Sequence, residues 1–145
     1  GSEMCIRDRY KNFYLLEETE DNELLALSFK GTKENAAGVS LYLSSFLSKN
    51  GIEESRANRI AVAVEEMAAS CAERMEGKKK FADIDIRIFA DKKETIISVR
   101  DNGDEFDPLN DDKEFEMSPL TVVKAISDKV EYSRALGFNR TIIKL

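Results

Sequence analysis

The segment "FADIDIRIFA" (Phe81–Ala90) alternates strictly, with Ala82, Ile84, Ile86 and Ile88 on one face. A period of two over this length predicts a strand buried on one side. After the turn Asp91-Lys92-Lys93 the segment "ETIISVRD" alternates again, so the two read as adjacent strands of a hairpin. A hairpin with one apolar face needs a second layer to cover that face.

The flanking segments supply the layer. "NELLALSFKG" (Asn22–Gly31) contains a further strand pattern, with Leu25, Leu27 and Phe29 on one face and Leu24 and Ala26 on the other. From about Lys33 to Lys49, Ala36, Val39, Leu43, Phe46 and Leu47 fall at helical spacing, and Asn50-Gly51 supplies a stop. A second helix is predicted from about Glu54 to Glu76, with Ile60, Val64, Met67, Cys71 and Met75 forming a narrow stripe and Gly77 ending it. Beyond the polar segment Asn110–Met117, a short helix from about Pro119 to Ser127 turns Leu120, Val123 and Ile126 inward, and Pro119 suits its first turn. "KVEYSRA", the turn "LGFN" and "RTIIKL" close the chain as a second hairpin. The order predicts an α+β two-layer sandwich: one mixed, mostly antiparallel sheet with helices on one face.

At 145 residues, 42% hydrophobic and 34% charged, the chain has the size and balance of one globular domain. Its net charge of −6 and pI near 4.9 argue against a nucleic-acid surface, since the only cluster of cations is Lys78-Lys79-Lys80, which reads as a solvated turn. No apolar run is long enough for a membrane span. With no histidine and two cysteines, a Ser-His-Asp triad, a Cys-His pair or a zinc site cannot be assembled from this chain alone. Chemistry must rest on carboxylates, hydroxyls, amides or a bound cofactor, and the cysteine usage suits a reducing cytoplasm. Gly1-Ser2 looks like a tag remnant, and "EMCIRDR" (Glu3–Arg9) resembles a translated sequencing adapter. Residues 1–9 are therefore expected to be disordered and are set aside, which leaves 10–145 as one domain and the natural upstream sequence open.

"VRDNGDEFDPL" (Val99–Leu109) is the chemically densest stretch. As a calcium loop it fails, because Gly103 stands third rather than sixth and Leu109 and Asn110 fall where oxygen ligands should continue. As a turn it fits, since Asp-Asn-Gly is a strong turn signal. The ligand-site reading depends on the second helix, where Glu66, Ser70 and Arg74 stand four apart and form one row beside the apolar stripe. Taken alone, Glu65-Glu66 reads rather as a solvated helical face.

The run "RIAVAVEEMAASCAERMEGKKKFADIDIRIFADKKETIISVRDNGDEFDPL", followed by "PLTVVKAISDKVEYSRALGFNRTIIKL", resembles the histidine-kinase-like ATPase domain in its anti-sigma-factor serine-kinase branch, within the superfamily that includes gyrase. The resemblance covers nearly everything from Asn22 on. It implies that Asp101 accepts a hydrogen bond from an adenine amino group, that Gly103 lets the backbone approach the base, and that Phe106 packs the loop down. It implies a general base at Glu66, and Ser70 stands where the family has a magnesium-binding Asn, followed by Arg74 in place of the usual basic ring. A hydroxyl can ligate magnesium but reaches less far than an amide. Where the family has a glycine-rich phosphate lid, this chain reads Glu116-Met117-Ser118-Pro119, which brings a negative charge and removes an N–H. The implied cofactor is ATP or ADP with Mg²⁺, and the implied protein partner a bacterial sigma factor or an anti-anti-sigma antagonist, with a homodimer left open. Two functions remain at this point: a degenerate regulatory domain that binds nucleotide weakly or not at all, and an active Mg-ATP-dependent serine/threonine kinase.

Overall fold

A computed structural model describes residues 3–5, 13–16, 23–91, 93–110 and 119–145. The strands are β1 (Glu3–Cys5), β2 (Phe13–Leu16), β3 (Glu23–Lys30), β4 (Asp83–Ala90), β5 (Thr95–Asp101), β6 (Lys129–Ala135) and β7 (Phe138–Lys144), and the helices are α1 (Lys33–Lys49), α2 (Glu54–Arg74) and α3 (Pro119–Ile126). The strands join in one sheet in the order β1-β2-β3-β4-β5-β7-β6, and every pairing described is antiparallel. The expected α+β sandwich is present, and its five predicted strands, β3 to β7, are all found. No parallel pair accompanies them among the described residues, so the sheet is antiparallel rather than mixed.

Alternation decides which side faces the helices. Leu25, Leu27 and Phe29 of β3, Ala82, Ile84, Ile86 and Ile88 of β4 and its approach, and Ile97 and Val99 of β5 are all buried in one core with Ile143 of β7. Each buried isoleucine contributes about 1.5–3 kcal/mol of transfer free energy. The opposite face carries cross-strand ion pairs, Lys30 with Asp83 and Arg100 with Asp85, whose exposure leaves them little stabilising effect.

The first helix begins where Thr32 Oγ1 accepts from the Asn35 N–H at 3.0 Å, a side-chain N-cap, and Gly51 at φ 83° follows its end. Ala36, Val39, Leu43 and Leu47 are buried as the spacing predicts. The narrow stripe expected on α2 is instead a broad face. Ala57, Ala61, Ala63 and Ala68 are buried along with Ile60, Val64, Met67 and Cys71, because α2 packs against α1 on one flank and α3 on the other. Alanine adds little to a periodicity count, yet it lets neighbouring helices approach closely. The helix also stops at Arg74, short of Glu76, with Gly77 at φ 80° in the turn that follows.

At the N-terminus Glu3–Cys5 pairs with β2, the remainder of residues 1–9 lies outside the described residues, and β2 has no counterpart in the sequence reading. An open sheet edge offers backbone donors and acceptors to any extended segment, so such pairing leaves little trace in side-chain pattern. At the other end of the chain the β6–β7 turn is tight: Leu136 and Gly137 take φ of 54° and 80°, a mirror-image turn with a leucine in a position that favours glycine. Leu136 is 97% exposed there.

Candidate functional site

Thr95, Ile97, Val99 and Asp101 share the helix-facing side of β5, so the strand's apolar row ends in a carboxylate aimed at the C-terminal end of α2. Asp101 is 5% exposed, and burial of a charge requires partners. Its Oδ1 accepts from the Gly103 N–H at 2.9 Å and from Asn139 Nδ2 at 3.0 Å. Its Oδ2 faces Arg74 Nη2 at 3.7 Å, close enough for an ion pair and too far for a direct hydrogen bond.

Asn139 is the residue that sequence reasoning missed. It lies opposite Asp101 in the β5–β7 register and is 2% exposed. Its Nδ2 also donates to the Asp104 carbonyl at 2.8 Å, while its Oδ1 accepts from the Phe106 N–H at 3.2 Å, the Tyr132 hydroxyl at 2.6 Å and Arg134 Nη1 at 2.9 Å. Arg134 in addition donates to the Gly103 carbonyl at 3.2 Å. One amide therefore fixes the carboxylate and the loop 101–106 together. On the loop's other side, Asn102 Oδ1 accepts from the Asp83 N–H at 2.7 Å, tying it to the start of β4.

Gly103 is buried within this loop, and an added Cβ would come to 3.0 Å from Asp101 Oδ1 and 3.4 Å from Met75 Sδ. The space beside the glycine is thus bounded by the chain's own carboxylate and by Met75, which gives it a packing reason independent of any ligand. Phe106 receives the Arg74 guanidinium over its ring, 4.2 Å from the centroid. Arg74 is thereby held between an aromatic face and a carboxylate. Asp104 is exposed and pairs with Lys78, which holds its carboxyl below the usual range.

Cys71, read from the sequence only as core, lies beside the same cluster. Burial pushes its thiol up to about 11, the negative charge of Asp101 acts in the same direction, and Arg74 opposes it. Its spacing of three from Arg74 on a helix was the available signal.

Ser70 and Glu66 lie about 6 Å and 12 Å back along α2 from Arg74 at 1.5 Å per residue. Ser70 is buried at 6% exposure. Glu66 is partly exposed, and its carboxyl is raised first by burial and then by the neighbouring Glu65. The structure thus brings Asp101, Gly103, Arg74 and Phe106 into one contact cluster and leaves Glu66 and Ser70 farther along the same helix. Of the lid, residues 116–118 lie outside the described residues, and Pro119 opens α3. A cavity of about 1120 Å³ beside the start of α1, lined among others by Lys30, Thr32, Asn35, Met75, Lys78 and Phe81, includes none of the predicted site residues.

The fold and site define a two-layer α+β domain whose polar centre lies between the end of β5 and the last turns of its central helix. The family model for the histidine kinase-like ATPase domain matches residues 29–145, and the chain belongs to that family. A search of curated proteins finds no match.

The cofactor of such a domain meets obstacles here. A base amino group needs a free carboxylate oxygen, and Asp101 Oδ1 is already doubly used while Oδ2 faces a guanidinium. Among the described residues no group of three or more His, Cys, Asp or Glu could hold a metal ion by protein ligands alone, whereas a nucleotide-bound magnesium takes most of its ligands from phosphate and water.

Proposed function

We propose that the protein is a degenerate regulatory domain of the anti-sigma-factor serine-kinase type, which binds an adenine nucleotide weakly or not at all and acts through a protein partner in a bacterial cytoplasm. The observation that carries the reading is the state of Asp101, whose carboxylate is committed to Gly103, Asn139 and Arg74. Ser70 in the position of a metal-binding amide supports it, because a short buried hydroxyl is a poor substitute for an amide's reach. By resemblance the partner is a sigma factor or its antagonist, engaged by the sheet's open face or by α1. No helix among the described residues is long and apolar enough to cross a membrane.

One observation favours the other reading, an active Mg-ATP-dependent serine/threonine kinase with Glu66 as base and Ser70 as metal ligand. The upward shift of Glu66 moves it toward the range where a carboxylate serves as a base. Thermal-shift titration with ATP, ADP and adenosine, with and without Mg²⁺, separates the two. Little or no shift is expected from any of them, and a Mg²⁺-dependent preference for ATP would establish the kinase reading instead. Any shift that does occur should vanish in Asp101→Asn, since an amide offers a mixed donor and acceptor where a pure acceptor is required.

A further inference from the structure

The polar cluster around Asp101 contains a group that is chemically a substitute for a ligand. The Arg74 guanidinium is flat, presents N–H donors at its edge and offers a π face. Its Nη2 lies 3.7 Å from Asp101 Oδ2, and its Cζ stands over the Phe106 ring, 4.2 Å from the centroid. A flat heterocycle carrying an exocyclic amine would need the same two surfaces: a carboxylate oxygen for the amine and an aromatic side chain for the ring. We propose that Arg74 occupies this position in cis and closes the site to such a heterocycle, which makes it the residue that decides whether a base is admitted. The inference rests on the reading of Asp101 as a base acceptor.

The network dictates that the two occupants exclude one another. Asp101 Oδ1 already accepts from Gly103 and Asn139, which leaves Oδ2 as the less occupied oxygen. A newcomer is best accepted at Oδ2, the atom that Arg74 faces. Arg74 carries a full charge and a neutral base does not, so the resident group holds the electrostatic advantage. The geometry also permits release. Arg74 is the last residue of α2, its side chain is 20% exposed, and at 3.7 Å it forms no direct hydrogen bond that must first break. A ligand that binds only the open form has its affinity reduced by the fraction of molecules that are open.

The test is calorimetric titration of the folded chain with adenosine, an uncharged probe that cannot gain from phosphate contacts. Arg74→Ala and Arg74→Met are compared with the wild type, the methionine retaining a stem to pack on Phe106 if alanine destabilises the fold. At least about tenfold tighter binding is expected in either variant, equivalent to about 1.4 kcal/mol, and adding Asp101→Asn should remove the gain. Equal affinity in wild type and Arg74 variants, lost with Asp101→Asn, would overturn the closure by Arg74 and leave the base-acceptor reading standing. Absence of binding in every variant would overturn both.

Discussion

The two ends of the polar row on α2 differ in how completely their groups are partnered. At Arg74 the helix meets a cluster in which Asp101 and Asn139 take part in six side-chain hydrogen bonds and an ion pair. Two turns earlier, the described surroundings act on Glu66 through partial burial and then the repulsion of Glu65. The described buried side-chain atoms without a partner, Arg56 Nη2 and Thr95 Oγ1, belong to neither place, and Thr95 opens the strand that Asp101 closes. A base-recognition end and a catalytic end, expected to serve one ligand, are thus built differently: the first is stabilised as structure, and the second has no such support.

That contrast predicts that substitution costs much at one end and little at the other. The largest effect is expected from Asn139→Leu, which has similar volume and no polar atoms. It would leave Asp101, Tyr132, Arg134 and the Phe106 N–H short of a partner, and unmade buried bonds cost about 1–3 kcal/mol each. Urea denaturation should show a loss of about 3 kcal/mol or more. A loss below about 1 kcal/mol would mean that the amide does not hold the loop.

A smaller effect is expected from Cys71. Its pKa is raised from 9.0 to about 11 by burial and by Asp101, so the folded state disfavours the thiolate. The associated stability is fully present below pH 9 and is lost as pH rises through 11, to an extent of about 2.7 kcal/mol. The stability difference between wild type and Cys71→Ala should therefore decline over that window. A difference that stays constant with pH would show that the thiol does not sense Asp101 or its burial.

Glu66→Gln should change stability least and in the opposite direction. Because the carboxyl is raised above 4.5, its ionised form is slightly disfavoured in the fold. The glutamine variant should melt slightly higher at pH 7, and the wild type should regain the difference as pH falls through and below its raised pKa. A variant that melts clearly lower at pH 7 would reveal a stabilising partner and erase the contrast between the two ends.

Local regularities carried most of the architecture. The bounds of α1, the core faces of β3 and β4, and the β6–β7 hairpin follow from period, caps and turn residues, all of which act within a few positions. Asp101, Gly103, Arg74 and Phe106 are named together through the resemblance that joins the loop to α2, and the fold places them in contact. Asn139 is not among them. In sequence it was absorbed into the turn "LGFN", whereas the turn proper is Leu136-Gly137 and Asn139 already lies in β7.

The sequence by itself determined the elements and their apolar faces, because alternation and helical spacing are properties of consecutive residues. It determined also that chemistry would fall to carboxylates and hydroxyls, since no histidine is present. Only the tertiary structure decided what those groups face. The register of β5 on β7 sets Asn139 against Asp101, and the end of α2 sets Arg74 between Asp101 and Phe106. These partners are separated by 27 to 38 positions, so their meeting depends on how strands pair and helices dock, and no local pattern encodes it.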